Sequence, residues 1–112
     1  MAKRADVLVA LRKLGFGVGG RREHFVVLQS DALVGLDTVI VAPLDEDQPM
    51  YERDPLVVRV AAREAGAERP HVVLVHLATA ARLDRFEPAA VGRLSTPSIR
   101  LVEQRLRTAL SL

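Results

Sequence analysis

The sequence predicts a mainly β fold, a small barrel-like sheet covered by one C-terminal amphipathic α-helix. Short runs of β-branched and aliphatic residues recur roughly every ten to twenty residues along most of the chain, as expected for the strands of a small barrel. Helical periodicity is confined to the last stretch. With 112 residues and an apolar content of 49%, the chain is expected to fold as a single domain, residues 1–112, around one hydrophobic core.

The strands are expected at residues 7–11, 25–29, 38–42, 56–60, 71–77 and, as a very short strand, 91–94. Pro43 is expected to close the third strand. Residues 13–22 contain four glycines, which indicates a flexible loop between the first two strands. Ser30 and Asp31 offer a cap for a short turn or helix through Leu33.

The helix is expected at the end of the chain. Thr96 followed by Pro97 is typical of an N-cap with proline at the first helical position. Apolar side chains then recur at spacings of three and four, at Ile99, Val102, Leu106, Ala109 and Leu110. This pattern predicts a helix that lies with one face against the sheet.

Composition excludes several classes of protein. The absence of cysteine excludes a disulfide framework, a thiolate metal site and a cysteine nucleophile. The three histidines show no ligand spacing, so neither a metal nor a cofactor is expected. No apolar run is long enough for a membrane span, and no apolar signal segment follows the basic start. A cytoplasmic protein without a membrane partner is therefore expected.

The net charge of +2 is unevenly distributed along the chain. Residues 1–31 carry six basic residues against three acids, whereas residues 32–54 carry six acids against Arg53. The first part can attract a polyanion weakly. The acids of residues 45–54 would repel phosphate if they lay near a binding groove. With an aromatic content of 4%, few rings are available to stack on single-stranded nucleic acid.

Three segments share their order and spacing with a known family. Lys3-Arg4-Ala5-Asp6-Val7 is similar to its opening Arg-Gly-Asp-Val strand, with alanine in place of glycine. Residues 19–44, with Gln29-Ser30-Asp31 and Val41-Ala42-Pro43-Leu44, are similar to its second and third strands. Gly92-Arg93-Leu94-Ser95 and the following helix are similar to its tail. Over nearly its whole length the chain resembles the MazF/CcdB superfamily of toxins from bacterial type II toxin–antitoxin systems.

The resemblance implies an SH3-like small β-barrel with a C-terminal α-helix, a homodimer, and neutralisation by a cognate antitoxin. MazF-type members are metal-independent ribonucleases that cut single-stranded RNA, whereas CcdB-type members poison DNA gyrase. The opening strand and the tail favour the MazF type, and the Trp-Gly-Ile end of CcdB-type toxins is missing because the chain has no tryptophan. We therefore expect a MazF-like endoribonuclease. A gyrase-binding toxin and a catalytically silent binding member are the alternatives.

RNA cleavage without a metal needs a base for the 2′-hydroxyl proton, a cation for the charged phosphorane and an acid for the leaving 5′-oxygen. The resemblance implies a phosphate-binding arginine just before the second strand. A gap-free count from Gln29 puts Glu23 and His24 at the family's Arg-Pro positions, whereas one bulged residue in the strand would place Arg22 there. We expect Arg22 to bind the scissile phosphate. The alternative is a solvated basic loop.

Histidine is the residue type that can exchange a proton near neutrality, so His24 and His76 are the expected proton carriers. His76 falls near an acidic position on the family's fifth strand. For each of them the alternative is a partly buried strand histidine, and His71 is expected to be structural. Asp45 falls at the family's Ser/Thr position, either as a general base or as a surface turn residue.

Three further cations, Arg21, Arg12 and Lys13, are expected to contribute to RNA binding. The glutamine and arginine that the family carries just beyond its acidic position appear here as Leu77 and Thr79. These two changes support the alternative of a catalytically silent member.

Overall fold

The computed structural model of the protein describes residues 2–12, 22–33 and 35–112. Within these ranges the chain forms seven strands, two α-helices and three short 3₁₀ turns. The strands are β1 Asp6–Val9, β2 His24–Val27, β3 Thr38–Glu46, β4 Val57–Val60, β5 His71–Leu74, β6 Thr79–Arg82 and β7 Gly92–Arg93. The helices are α1 Ala62–Ala65 and α2 Thr96–Leu110, and the 3₁₀ turns are Pro49–Tyr51, Val75–Leu77 and Leu83–Arg85. The predicted glycine loop lies outside the described residues except for Arg22.

The strands form one antiparallel sheet in the order β4, β5, β3, β2, β1, β7, and β6 also pairs with β3. β3 is nine residues long and occupies the middle of the sheet. On one side it pairs with β2, and on the other side it pairs first with β6 and then with β5. The sheet curls into a half-barrel, so the predicted mainly β fold with a C-terminal helix is confirmed.

Pro43 does not close β3, contrary to the sequence-based expectation. It lies between the segment that pairs with β6, residues 38–41, and the segment that pairs with β5, residues 44–46. Proline has no N–H to give to a strand ladder. At this position the loss is small, because Pro43 falls in the gap where β3 changes partner on that side. On the other side it lies opposite Phe25 of β2.

Alternation along the strands gives the sheet two faces with different neighbours. The face that we call the helix-side face carries Val26, Leu44 and Val73, which cluster with Ile99 and Val102 of α2. The opposite face, called here the far face, carries two smaller clusters. One contains Phe25 and Phe86, whose rings meet edge to face at 5.4 Å. The other contains the buried residues Tyr51, Val57, Val72 and Leu74.

The helix is present but begins differently from the prediction. The N-cap is Ser95, whose side chain accepts from the N–H of Ser98 at 3.4 Å, and Thr96 is already the first helical residue. The apolar stripe is buried only in its first half, at Ile99 and Val102. Ala109 and Leu110 are exposed, so the last turn of α2 does not pack on the sheet.

The fifth strand is shorter than predicted, and one strand was not predicted at all. The fifth strand ends at Leu74, and a 3₁₀ turn replaces its predicted second half. β6 was missed because its sequence, Thr-Ala-Ala-Arg, has little β propensity. It is a strand because β3 offers it an edge to pair with. Residues 30–33 form the turn that was expected as one alternative, with the Leu33 N–H bonded to the Ser30 carbonyl at 3.0 Å. No helix in the described parts of the chain is long and apolar enough to cross a bilayer.

Candidate functional site

The register of β2 shows whether the strand contains the bulge that would move Arg22 to the position of the family's arginine. β2 pairs without interruption with β1 from His24 to Val26 and with β3 from His24 to Val27. The N–H of Ala10 donates to the Glu23 carbonyl at 3.0 Å, which extends the pairing to Glu23. The bulge that would have moved Arg22 into place is therefore absent from this stretch, and that hypothesis was wrong. Glu23, which the gap-free count from Gln29 places at that position, is 6% exposed.

Asp45 is neither a surface turn residue nor an open general base. It belongs to β3 and is only 5% exposed, because its strand continues through Pro43 to Glu46. Its Oδ2 accepts a hydrogen bond of 2.6 Å from the Tyr51 hydroxyl and a longer one, 3.4 Å, from Gln48 Nε2. Burial, together with the Asp45 carboxylate, raises the pKa of Tyr51 well above its ordinary value. The Tyr51 hydroxyl therefore stays protonated and continues to donate.

The last observed pair of β2 and β3 is His24 with Leu44. Glu23 and Asp45 are the next residues on the two sides of this pair. The two acids therefore lie side by side on the far face of the sheet. Both are buried and both have further interaction partners. The gap-free residue count in the sequence places these two buried carboxyl groups where the family resemblance implies an arginine and a hydroxyl.

Arg22 lies just before β2 and is exposed. Its guanidinium forms an ion pair of 2.9 Å with Glu87, and both side chains are about half exposed, at 51% and 42%. An exposed pair of this kind contributes at most about 1 kcal/mol. A phosphate group can therefore compete with Glu87 for Arg22 at little cost.

His24 opens β2 and points to the helix-side face, as Val26 does. Its Nδ1 lies 2.7 Å from the Ala65 carbonyl oxygen at the end of α1. A carbonyl can only accept, so Nδ1 carries the proton and Nε2 is the basic nitrogen of the neutral ring. The ring stacks on His71 with a centroid distance of 5.9 Å and an interplanar angle of 20°.

His76 is separated from this arrangement. It is an exposed residue of the 3₁₀ turn Val75–Leu77 and not a strand residue. The structure therefore brings His24 together with His71 and not with His76. His24 and Asp45 lie on opposite faces of the sheet. His24 pairs with Leu44 and shares its face, and Asp45 is the next residue of β3 and faces the other way.

Of the three further cations expected to bind RNA, the structure describes Arg12. Arg12 is exposed just after β1. Arg21 and Lys13 lie outside the described residues. The acids of residues 45–54 are less repulsive than their number suggests. Asp45 is buried, and Asp47 forms an ion pair of 3.3 Å with Arg59. Within the described ranges, no three acidic or histidine side chains converge in a way that could hold a metal ion.

Comparisons with known proteins agree with the resemblance seen in the sequence. A family model described as "PemK-like, MazF-like toxin of type II toxin-antitoxin system" matches residues 3–110. No curated protein matches the chain by sequence. Among solved structures, the chain is similar to an endoribonuclease in complex with its cognate antitoxin from a mycobacterial species. The TM-score is 0.78 at 15% identity, over 100% of this chain and 97% of that one.

Two further structures show the same fold. The Mycobacterium tuberculosis toxin MazF-mt6 has a TM-score of 0.75 at 18% identity, over 96% of this chain and 97% of that one. A MazE–MazF complex from Deinococcus radiodurans has a TM-score of 0.74 at 17% identity, over 98% of this chain and 95% of that one. The similarity thus covers nearly the whole chain, although few residues are identical.

Proposed function

We propose that this chain, which belongs to the PemK-like, MazF-like toxin family of type II toxin–antitoxin systems, cleaves single-stranded RNA without a metal ion. The observation that carries the proposal is the match of residues 3–110 to that family. The similarity of the whole fold to MazF toxins, and to a structure named as an endoribonuclease, supports it. The CcdB-like alternative is not favoured by these comparisons.

The chemistry is assigned to groups that solvent can reach. Arg22 would stabilise the phosphorane, because its guanidinium is always charged and its pairing with Glu87 is weak enough to exchange. His24 would exchange the proton through Nε2, because the Ala65 carbonyl holds its ring in one orientation. We prefer His24 to His76, whose ring has no such hydrogen bond among the described residues. Asp45 is too buried to carry protons to RNA.

The same proposal covers the partners. The structural neighbours include toxins solved with a cognate antitoxin, and we propose that this chain is a homodimer that binds an antitoxin of its own. Because residues 1–31 are basic, the antitoxin segment is expected to be acidic and apolar. The chain would act in the cytoplasm as a single domain. If the antitoxin bound equally well after Arg21 and Arg22 were both changed to glutamate, this location of its binding site would be wrong.

The test is cleavage of mixed-sequence single-stranded RNA in excess EDTA. Wild-type protein is expected to cleave, and Arg22→Ala to lose on the order of 100-fold or more in rate, the usual effect of removing one charge stabiliser. Arg93→Ala is the matched control, because Arg93 also forms an exposed ion pair, with Asp6 at 2.8 Å. Full activity of Arg22→Ala would refute the assignment of Arg22. Loss of wild-type activity in EDTA would refute a metal-independent reaction.

The second candidate is a toxin-fold member that binds without cleaving. The observation that favours it is the buried pair Glu23 and Asp45 at the family positions for arginine and hydroxyl. If wild-type protein cleaved no RNA with or without added divalent ions but still bound its antitoxin, this candidate would replace the ribonuclease.

A further inference from the structure

The half-buried ring pair of His24 and His71 lies at one end of the helix-side face. Each ring uses Nδ1 for a hydrogen bond to a backbone carbonyl, His24 to Ala65 at 2.7 Å and His71 to Arg69 at 2.8 Å. Since a carbonyl only accepts, both rings keep their proton on Nδ1 and present Nε2 as the atom that can gain or lose one. The two backbone contacts therefore give both histidines the same tautomer.

Neither Nε2 atom is both fully buried and without a hydrogen-bond partner. Among the described residues, the only buried side-chain nitrogen or oxygen without a hydrogen-bond partner is Arg105 Nε. Each ring is half-buried and held by its Nδ1 bond and by the stack at 5.9 Å. General acid–base catalysis requires proton-exchanging groups in fixed positions, and the two rings meet that requirement.

We propose that His24 and His71 form the proton-transfer pair of RNA cleavage, with His24 as the general base and His71 as the general acid. The proposal rests on the ribonuclease function proposed above and identifies the second proton carrier of that reaction. A catalytic nitrogen must come within about 3 Å of the oxygen that it serves. With ring centroids 5.9 Å apart, the pair can reach the attacking and the leaving oxygen of one phosphodiester.

The surroundings assign the two roles. His71 lies opposite Glu46 in the β3–β5 register. The next pair along the two strands, Asp47 with Pro70, is hydrogen-bonded through the Asp47 N–H and the Pro70 carbonyl. Glu46 and His71 are therefore a non-hydrogen-bonded pair, the kind in which side chains across an antiparallel ladder come closest. We assign the role of general acid to His71, the ring that lies beside this carboxylate in the register. We assign the role of general base to His24, the ring that follows the cation Arg22 by two residues.

The step balances within these groups. Neutral His24 takes the proton of the 2′-hydroxyl through Nε2 while the 2′-oxygen forms a bond to phosphorus. The bond from phosphorus to the 5′-oxygen breaks, and that oxygen takes the proton from Nε2 of protonated His71. The products are a 2′,3′-cyclic phosphate and a 5′-hydroxyl end. The two histidines finish with exchanged protons, and water restores them.

This pair moves the proton chemistry to the other side of the sheet from the family positions. Glu23 and Asp45 lie on the far face, whereas His24 and His71 lie on the helix-side face with Leu44 and Val73. Arg22 precedes His24 by two residues and lies just before β2, so the cation is close to the base along the chain. The loss of the family's usual groups on the far face is then compatible with cleavage.

The experiment compares His24→Gln, His71→Gln and His76→Gln in RNA cleavage with EDTA, after thermal unfolding has shown that all three fold. Loss of either member of the pair is expected to lower kcat/KM by about 100-fold or more. His76→Gln, which alters the exposed histidine of the turn, is the matched comparison. Cleavage that survives His71→Gln but is lost in His76→Gln would overturn the pair while leaving the ribonuclease function intact.

Two readouts separate catalysis from a structural role. The wild-type pH profile of kcat/KM is expected to be bell-shaped, with His24→Gln losing the acidic limb and His71→Gln losing the alkaline limb. Once the scissile bond is mapped, RNA with sulfur in place of its bridging 5′-oxygen should rescue His71→Gln, because a thiolate leaves without a proton. It should not rescue His24→Gln. A bell-shaped pH profile of kcat/KM that is unchanged in His71→Gln would refute the assignment. Equal rescue of both variants by the sulfur-substituted RNA would refute it as well. Absence of wild-type cleavage would instead refute the proposed function itself.

Discussion

At the scale of single residues, the hydrogen bond between Tyr51 and Asp45 is the feature that a substitution tests most directly. Tyr51→Phe removes the hydroxyl that donates to Asp45 at 2.6 Å and leaves the packing of the ring in place. Asp45 then keeps its buried position with one donor fewer. We expect the free energy of unfolding to fall by about 1.5–3 kcal/mol, the usual contribution of a hydrogen bond to a charged group. Urea denaturation of both proteins measures it.

The Asp45→Ala variant and the double variant complete a thermodynamic cycle for this pair. The double variant is expected to cost less than the sum of the two single variants, because each single change removes the same bond. Additive costs would show that Tyr51 and Asp45 stabilise the fold independently, and the assignment of their bond would then be wrong.

At the scale of elements, Glu64 connects the short helix α1 to the start of α2. One carboxylate oxygen accepts from the Ala61 N–H at 3.0 Å and the other from the Ser95 N–H at 2.8 Å. β7 approaches α1 closely at the same place, since a methyl group on Gly92 would lie 2.7 Å from the backbone nitrogen of Gly66. One side chain thus satisfies backbone donors from two segments that are about thirty residues apart in the chain.

The protonation of Glu64 makes this connection sensitive to acid. Desolvation raises the pKa of Glu64, but the hydrogen bonds from Ser95 and Ala61 outweigh it and lower the pKa from 4.5 to about 2. A lowered folded-state pKa means that the stabilisation is complete above about pH 4.5 and is lost as the pH falls towards about 2. We expect Glu64→Gln to be about 1 kcal/mol less stable than wild type at pH 7. The two proteins should converge in stability as the pH falls to about 2.

Urea denaturation of wild type and Glu64→Gln at a series of pH values between 2 and 7 checks this expectation. Glu68→Gln is the control, because Glu68 is an exposed acid of the next turn. A difference between wild type and Glu64→Gln that stayed constant over the whole pH range would show that the charge of Glu64 does not stabilise the junction.

At the scale of the whole molecule, the proposed homodimer makes the exposed apolar surface informative. Leu33, Leu36 and Leu83 are about half to one-third exposed and line a cleft of about 410 Å³. An exposed apolar cleft of this kind is typical of an interface. We expect the wild-type chain to sediment as a dimer at micromolar concentration, and Leu36→Glu to raise the dissociation constant at least about tenfold, because it would bury an unpaired charge.

Leu110→Glu is the control for the dimer, since Leu110 is 58% exposed at the end of α2, away from the cleft-lining residues in the sequence. A stable wild-type monomer at micromolar concentration would contradict the dimer. A dimer that was weakened by Leu110→Glu and not by Leu36→Glu would place the interface at α2.

The sequence by itself determined the fold class and most of the strand positions. Runs such as residues 25–27 and 57–60 pair and pack wherever a sheet is available, because alternating or continuous β-branched residues have few other stable arrangements. The helix α2 and the turn at Ser30 were also predicted, because their signals are local patterns in the sequence. The order of three short segments was enough to identify the family, which the match over residues 3–110 confirmed.

The tertiary structure decided the parts that depend on partners distant in the chain. β6 is a strand because β3 has a free edge, and Pro43 is tolerated because β3 changes partner there. The burial of Asp45 and the separation of His24 from it follow from the strand register. Because side chains alternate between the two faces, a shift of one residue would move every side chain of a strand to the other face. The contact between His24 and His71, 47 positions apart, exists only because β2 and β5 both lie beside β3. Local pattern fixes which segments are strands, but pairing between strands fixes which side chains meet.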